Sequence, residues 1–201
     1  MSFKKFMSTL AIVLVVIFVL FIYNSYAANN KVERQKYNLI KVADGFEIRY
    51  YPKAIMATVA TKGHKNNKNA NQNFRTLAGY IFGGNKGAQK ISMTAPVYME
   101  RDTDVNRMSF VLPSGYTINE LPNPNDSAIK IHYSDDGYFA ALSFRGFAGE
   151  HKIVKKENEL KQLLKKNGYA TIGKFSYLGY NAPWEIINRQ NDIVVKIEYI
   201  Q

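Results

Sequence analysis

The chain has 201 residues, with 27 Lys and Arg against 16 Asp and Glu, for a formal net charge of +11. That length is enough to bury a full core in one domain, and the cationic surplus favours anionic partners such as phosphates, carboxylates or acidic lipid. It contains no cysteine, which excludes disulfides, thiolate metal sites, a cysteine nucleophile and lipid attachment at cysteine.

At the N-terminus, Lys4-Lys5 precede an apolar run from Phe6 to Tyr23, and Ser25 and Ala27 supply the small residues of a signal-peptidase site. The run is also almost long enough to span a bilayer. The sequence therefore divides into a signal peptide or N-terminal membrane anchor over residues 1–29 and a folded domain over 30–201. Either reading puts the folded part in the cell envelope, exported to the periplasm or exterior or anchored by a single transmembrane segment. It argues against a nucleic-acid partner, and no nucleic-acid motif accompanies the basic charge.

The folded part opens with strand patterns. Tyr37 to Val42 is followed by a turn at Asp44-Gly45 and then by Phe46 to Tyr51, which reads FEIRYY. Pro52 separates these from Ala54 to Thr61, another apolar and β-branched run. A polar loop at His64 to Asn69 leads into a helix capped by Asn69 or Asn71. Its Phe74, Leu77, Ala78, Ile81 and Phe82 recur at helical spacing on one stripe, and Gly83-Gly84 ends it. Ile91 to Met99 and Met108 to Leu112 read as strands around a charged turn. Pro113 to Asn125 (PSGYTINELPNPN) is a natural boundary between halves.

The second half repeats the order. Ile129 to Tyr133 alternates, Asp135-Asp136-Gly137 turns, and Tyr138 to Arg145 is a long strand. A helix from about Glu150 to Asn167 turns Ile153, Leu160, Leu163 and Leu164 inward and most of its lysines outward. Strands over Phe175 to Tyr180, Trp184 to Asn188 and Ile193 to Ile200 complete it. Ala-Pro follows a strand-like run in each half, at Ala95-Pro96 and Ala182-Pro183. Neither half covers the apolar face of its sheet alone, so the two must pack together. The expected fold is α+β: a distorted antiparallel β-barrel built from two related halves, with two flanking α-helices.

Several spaced motifs carry a family resemblance. Tyr80-Ile81-Phe82-Gly83-Gly84-Asn85, Lys90-Ile91-Ser92-Met93-Thr94-Ala95-Pro96-Val97, Phe110-Val111-Leu112-Pro113 and Gly179-Tyr180-Asn181-Ala182-Pro183-Trp184 resemble the SOUL haem-binding protein family. Asn188 to Ile193 matches its terminal motif loosely, and the likeness runs from Val32 to the C-terminus. The resemblance implies the same two-half barrel, also found in bacterial effector-binding domains. It implies binding of haem or another tetrapyrrole in a shallow apolar site, with no catalytic activity. The haem site it implies is the edge of the first helix with the loop after the penultimate strand: Arg75, Ala78, Tyr80, Phe82, Tyr180 and Trp184. One branch of the family offers a histidine as axial ligand on the early strand; the matching residue here is Tyr50.

Haem needs apolar surface for the macrocycle and cations or donors for its propionates. Tyr50 and His64 are the candidate iron ligands, although each also reads as an ordinary strand or surface residue. His132, His151, Met93, Met99 and Met108 are further groups able to bind iron, and each reads equally as surface or as core filler. No metal-site spacing is present. Gly83 to Gly87 lacks the Gly-Lys-Ser/Thr ending of a phosphate loop, and no Gly-x-Ser-x-Gly elbow appears. Two functions follow. The first is a non-catalytic haem or tetrapyrrole carrier, buffer or scavenger in the cell envelope. The second is a binding module for another apolar or cationic small molecule in the barrel cleft. A hydrolase using Glu47 or Glu198 as general base is a weaker third.

Overall fold

The computed structural model describes residues 7, 10, 12–18, 20, 32–62, 67–100, 105–182, 185 and 189–199. It divides into two units, Met1–Val32 and Glu33–Gln201. In the first, residues 12–18 are helical. Among the described residues no helix is long and apolar enough to cross a membrane.

In the second unit, alternation of side chains decides the sheet. β1 (Glu33–Arg34) pairs in parallel with β5 (Thr94–Ala95). The main sheet comprises β2 (Asn38–Ala43), β3 (Phe46–Tyr51), β4 (Ile55–Lys62), β6 (Val97–Glu100), β7 (Val105–Val111), β8 (Lys130–Tyr133), β9 (Gly137–Arg145), β10 (Thr171–Gly179) and β11 (Gln190–Ile197). Among the described residues these nine strands run in the order β2-β3-β9-β11-β10-β6-β7-β4-β8, every pair antiparallel. Helix α1 (Asn67–Ile81) connects β4 to the β5–β6 segment, and α2 (Glu150–Lys166) connects β9 to β10.

That order is a palindrome about the β10–β6 pair. Exchanging β3 with β8, β4 with β9, β6 with β10 and β7 with β11 reverses the list and leaves β2 as an addition. The two halves therefore swap their first strands. β3, from the first half, pairs with β9, setting Ile48 opposite Ala140. β8, from the second, pairs with β4, setting Ile131 opposite Ala57.

Each helix covers a cluster completed by the swapped strand. Under α2, Leu160 and Leu164 pack with Leu142, Ile193 and Val195 and with Phe46 and Ile48 of β3. Under α1, Leu77, Tyr80 and Ile81 pack with Ala57, Val59, Met108 and Phe110, with Ile131 of β8 against them. A one-residue slip of β3 or β8 would turn these side chains to the other face, so the apolar pattern fixes the exchange.

Three expectations are corrected. The sheet is open rather than closed into a barrel, with β2 and β8 as its end strands. Both are exposed along most of their length, so no shared apolar face draws them together. The strand expected over Ile91 to Met99 starts only at Thr94 and, as its proline implies, is broken at Pro96, whose nitrogen has no proton to give the ladder; β5 pairs on one side of it and β6 on the other. The two Ala-Pro pairs are not symmetry mates, since Ala95-Pro96 precedes β6 whereas Ala182 follows β10.

Candidate functional site

Two surfaces carry chemistry, one on the outside of α1 and one on the face of the sheet that bears no helix. The first starts at the end of α1. Gly83 has φ of 112°, which glycine adopts freely, and Gly84 N–H donates to Gly79 O at 2.8 Å, closing the last turn. A Cβ on Gly84 would stand 2.7 Å from that same oxygen, so the pair Gly83-Gly84 is required. Asn85, buried at 3% exposure, locks the turn. Its Nδ2 donates to Tyr80 O at 2.8 Å and Gln89 O at 2.7 Å, and its Oδ1 accepts from Gln89 N–H at 3.0 Å. The sequence motif thus fixes where the next side chain outward lies.

That side chain is Phe82, 66% exposed and bridged through its backbone to Lys90. Arg75, Ala78, Gly79 and Phe82 fall at i, i+3, i+4 and i+7, which puts them on one face of the helix. Arg75 and Gly79 are exposed and Ala78 is half-buried. A Cβ on Gly79 would meet nothing within 4 Å. The outer face of α1 is accordingly a shelf of small residues with an exposed aromatic ring at one end and a guanidinium at the other.

Tyr80 does not join this shelf. It is 1% exposed in the cluster beneath α1, and its hydroxyl donates to Pro122 O at 3.0 Å. Tyr180 lies on the other face of the sheet, its hydroxyl donating to Asp192 Oδ2 at 2.8 Å. Of the six residues expected at a haem site, Arg75, Ala78 and Phe82 come together, Tyr80 and Tyr180 are buried elsewhere, and Trp184 lies outside the described residues, as does His64. Tyr50 belongs to the α2 side: its ring meets Tyr138 edge-on at 5.3 Å and its hydroxyl donates to Asp136 Oδ2 at 3.3 Å. Met108 is core, and Met93 and Met99 pack against the clusters. Among the described residues no group of three or more His, Asp or Glu is arranged to hold a metal ion.

The second surface begins with a buried polar knot that sequence reasoning missed. Arg49, 2% exposed, and Asp192, fully buried, face each other from β3 and β11. Arg49 Nη1 donates to Asp192 Oδ2 at 2.6 Å and to the Tyr51 hydroxyl at 3.2 Å. Its Nε donates to Glu47 Oε2 at 2.7 Å and its Nη2 to Ser143 Oγ at 3.0 Å. Ser143 in turn donates to Asp192 Oδ1 at 2.7 Å, and the guanidinium lies 4.4 Å over the Tyr37 ring. Both charges are thus paired and hydrogen-bonded, as burial demands. Burial works to lower the Arg49 pKa, but Asp192 and Tyr51 outweigh it and hold the pKa above its ordinary value. Burial pushes the Tyr51 phenol up to about 12 and the Tyr98 phenol well above its usual range. Little in the sequence marked it, since Asp192 follows Gln190 and Asn191 at the polar start of β11.

Tyr51 joins this knot to a cleft of about 760 Å³ on the helix-free face. Strand alternation that sends one set of side chains to the helices sends the other here: Met56, Thr58 and Ala60 from β4, Tyr98 from β6, Ser109 from β7, Phe139 from β9. Glu47 and Glu198, the candidate general bases, are not among the residues lining it. Glu47 is bound to Arg49 and Glu198 is exposed.

The SOUL heme-binding protein family model matches residues 32–196. Heme-binding protein 2 of Homo sapiens is 29% identical over 155 residues, covering 74% of this chain and 76% of that protein. Heme-binding protein 2 of Mus musculus is 28% identical over the same length. Among solved structures, the EcmrR C-terminal domain superposes with a TM-score of 0.60 at 10% identity, covering 82% of this chain and 99% of that one. A structure described as a hydrolase from Listeria innocua has a TM-score of 0.54, also at 10% identity, with coverage of 88% and 98%. At such identities these two likenesses speak for the fold alone.

Proposed function

We infer the protein's role from one premise: the chain belongs to the SOUL heme-binding protein family. Our reading is that it binds haem or a related tetrapyrrole without catalysis, laying the macrocycle on the outer shelf of α1. The observation that carries this is Phe82, held 66% exposed beside Ala78 and the open Gly79 position. A planar apolar ligand would cover that ring and the small residues next to it, and apolar burial would supply most of the affinity. Arg75, on the same stripe, is placed to meet a propionate, and Lys90, bridged to Phe82, adds a second cation. Such exposed charges orient a ligand more than they hold it.

Haem is cargo here. None of Arg75, Ala78, Gly79 and Phe82 offers a ligand for haem iron, so the site suits stacking of the macrocycle face. The non-catalytic reading is supported by Glu47, whose carboxylate is committed to Arg49, and by the exposure of Glu198. An envelope setting, as carrier, buffer or scavenger, is supported by Lys4-Lys5, the apolar run after them and the small residues at Ser25 and Ala27.

The test is a haemin titration of the full-length protein followed by the Soret band. The expected result is saturable binding that weakens by about tenfold or more in both Phe82→Ser and Arg75→Glu, with unchanged circular dichroism. Absence of a Soret shift, or equal affinity in the wild type and both variants, would overturn the reading.

A further inference from the structure

We propose that the cleft on the helix-free face is a second ligand site, separate from the α1 shelf, and that it takes an amphipathic organic anion: an aromatic or branched apolar body bearing one carboxylate or sulfonate. The volume, about 760 Å³, falls in the range of about 300–1,000 Å³ occupied by small-molecule sites. Its lining divides by chemistry. Tyr51, Met56, Tyr98 and Phe139 form an apolar and aromatic patch fit for a ring system.

The charge of the lining selects the sign of the ligand. Arg107, Lys130, Lys174 and Lys196 stand against Glu100 and Asp135, so the named lining side chains carry 4 − 2 = 2 surplus positive charges. Both acids are already engaged. Glu100 accepts from Arg107 at 2.9 Å and stands 4.0 Å from Lys174, and Asp135 stands 3.6 Å from Lys196. A cationic ligand would have to compete with these cations for the same carboxylates, whereas an anion meets a positive field in a partly enclosed space, where field lines are focused.

A polar row supplies the donors. Ser109 Oγ lies 2.7 Å from Thr58 Oγ1, which lies 2.8 Å from His132 Nε2, and His132 Nδ1 lies 2.8 Å from Tyr133 O. A carbonyl only accepts, so Nδ1 carries a proton and the ring orientation is fixed by the backbone. The row crosses β7, β4 and β8, with Ser109 opposite Thr58 and His132 opposite Met56, and all three of its side chains line the cleft. In that tautomer Nε2 accepts the Thr58 proton, which leaves the Ser109 hydroxyl as the group that can rotate its proton toward an anionic head group. One cavity therefore combines an apolar patch, a polar row that ends in the Ser109 hydroxyl, and a cationic rim.

The test uses calorimetric titration of the full-length protein with 2-naphthalenesulfonate and with naphthylmethylammonium, which present similar rings with opposite charge. The sulfonate should bind at least about tenfold more tightly than the ammonium. Ala60→Trp, which fills the cleft from an exposed position, and Ser109→Asp, which sets a negative charge in the donor row, should each weaken the sulfonate by about tenfold or more. Phe82→Ser on α1 should leave it unchanged. Equal or stronger binding of the ammonium, absence of sulfonate binding, or sulfonate affinity that survives in whichever cleft variants keep the native circular dichroism would overturn the proposal. So would loss of binding in Phe82→Ser.

Discussion

Helices α1 and α2 occupy equivalent places in the palindromic sheet, yet their outer faces have little in common. α2 is furnished for water: Glu150 sits in its first turn, Lys165 and Lys166 in its last, both matched to the helix dipole. Lys156–Glu159 and Lys161–Glu157 pairs lace its surface. α1 has no acid in its first turn and no base in its last. Its sequence begins with four Asn at alternate positions, Asn67, Asn69, Asn71 and Asn73, and carries Gly79 near its end, a poor helix composition. One of these, Asn73, is buried and donates to Asn106 O at 3.3 Å, taking part of the anchoring that apolar side chains perform under α2. The fold demands the same buried stripe from both helices. What it leaves free differs, and the free part of α1 is a shelf of small residues between Arg75 and the exposed ring of Phe82, which water alone gives no reason to keep.

The largest expected effect attacks the sheet on which both helices sit. Asp192→Ala removes the fully buried partner of Arg49 and leaves it the partly exposed Glu47, and should cost about 3 kcal/mol in urea unfolding. Because Arg49 stands on the exchanged β3 and Asp192 on β11, loss near zero would mean that the strand swap does not depend on this pair, and that the two helices are not comparable parts of one unit.

A smaller effect uses pH. Unfolded tyrosine titrates near 10, whereas Tyr51 in the fold holds its proton up to about 12, chiefly through burial. Tyr98 and Tyr180 are also raised, first by burial. The folded state therefore keeps protons that the unfolded state loses above pH 10. Their contribution is fully present below that pH and falls above it, by up to about 1.4 kcal/mol per pH unit for each such tyrosine. Alkaline titration should show tyrosinate absorbance from these residues appearing together with loss of the fold; a gradual rise with the fold intact would place them in water.

The smallest effect sharpens the contrast directly. Gly79→Ala should raise stability by about 0.5–1 kcal/mol, since the site is helical, exposed and open around its Cβ position. A gain there in thermal unfolding means that the shelf was not shaped for stability. A loss would mean that Gly79 serves packing instead.

Much of this was legible before any coordinates. The alternation in FEIRYY, the apolar stripe of the first helix apart from its last member Phe82, and the inward Ile153, Leu160 and Leu164 gave elements close to those found, because burial sets those patterns. The barrel was not legible correctly, because closure depends on which strands meet at the edges, and β2 and β8 carry no pairing signal. Exchange of first strands was hidden for the same reason: β3 and β9 are far apart in the chain. Arg75, Ala78 and Phe82 came as candidates from the family resemblance; helical spacing alone had put Phe82 on the buried stripe, whereas it stands 66% exposed. Tyr80 and Tyr180 were misleading, since a tyrosine can lie buried with its hydroxyl satisfied by Pro122 O or Asp192 as easily as it can face a ligand. A ligand cleft was among the expectations, but its lining went unread because Thr58, Ser109 and His132 lie on three strands and meet only once the sheet is assembled.

The most direct test of the claim that α1, and not its counterpart, is the haem-binding helix is one haemin titration on two variants. Gly79→Glu puts a carboxylate on the shelf, and Val154→Glu puts one at a 39% exposed position on α2. Gly79→Glu should weaken haemin by about tenfold or more while Val154→Glu matches the wild type; equal affinity in all three proteins, or loss in Val154→Glu alone, would contradict it.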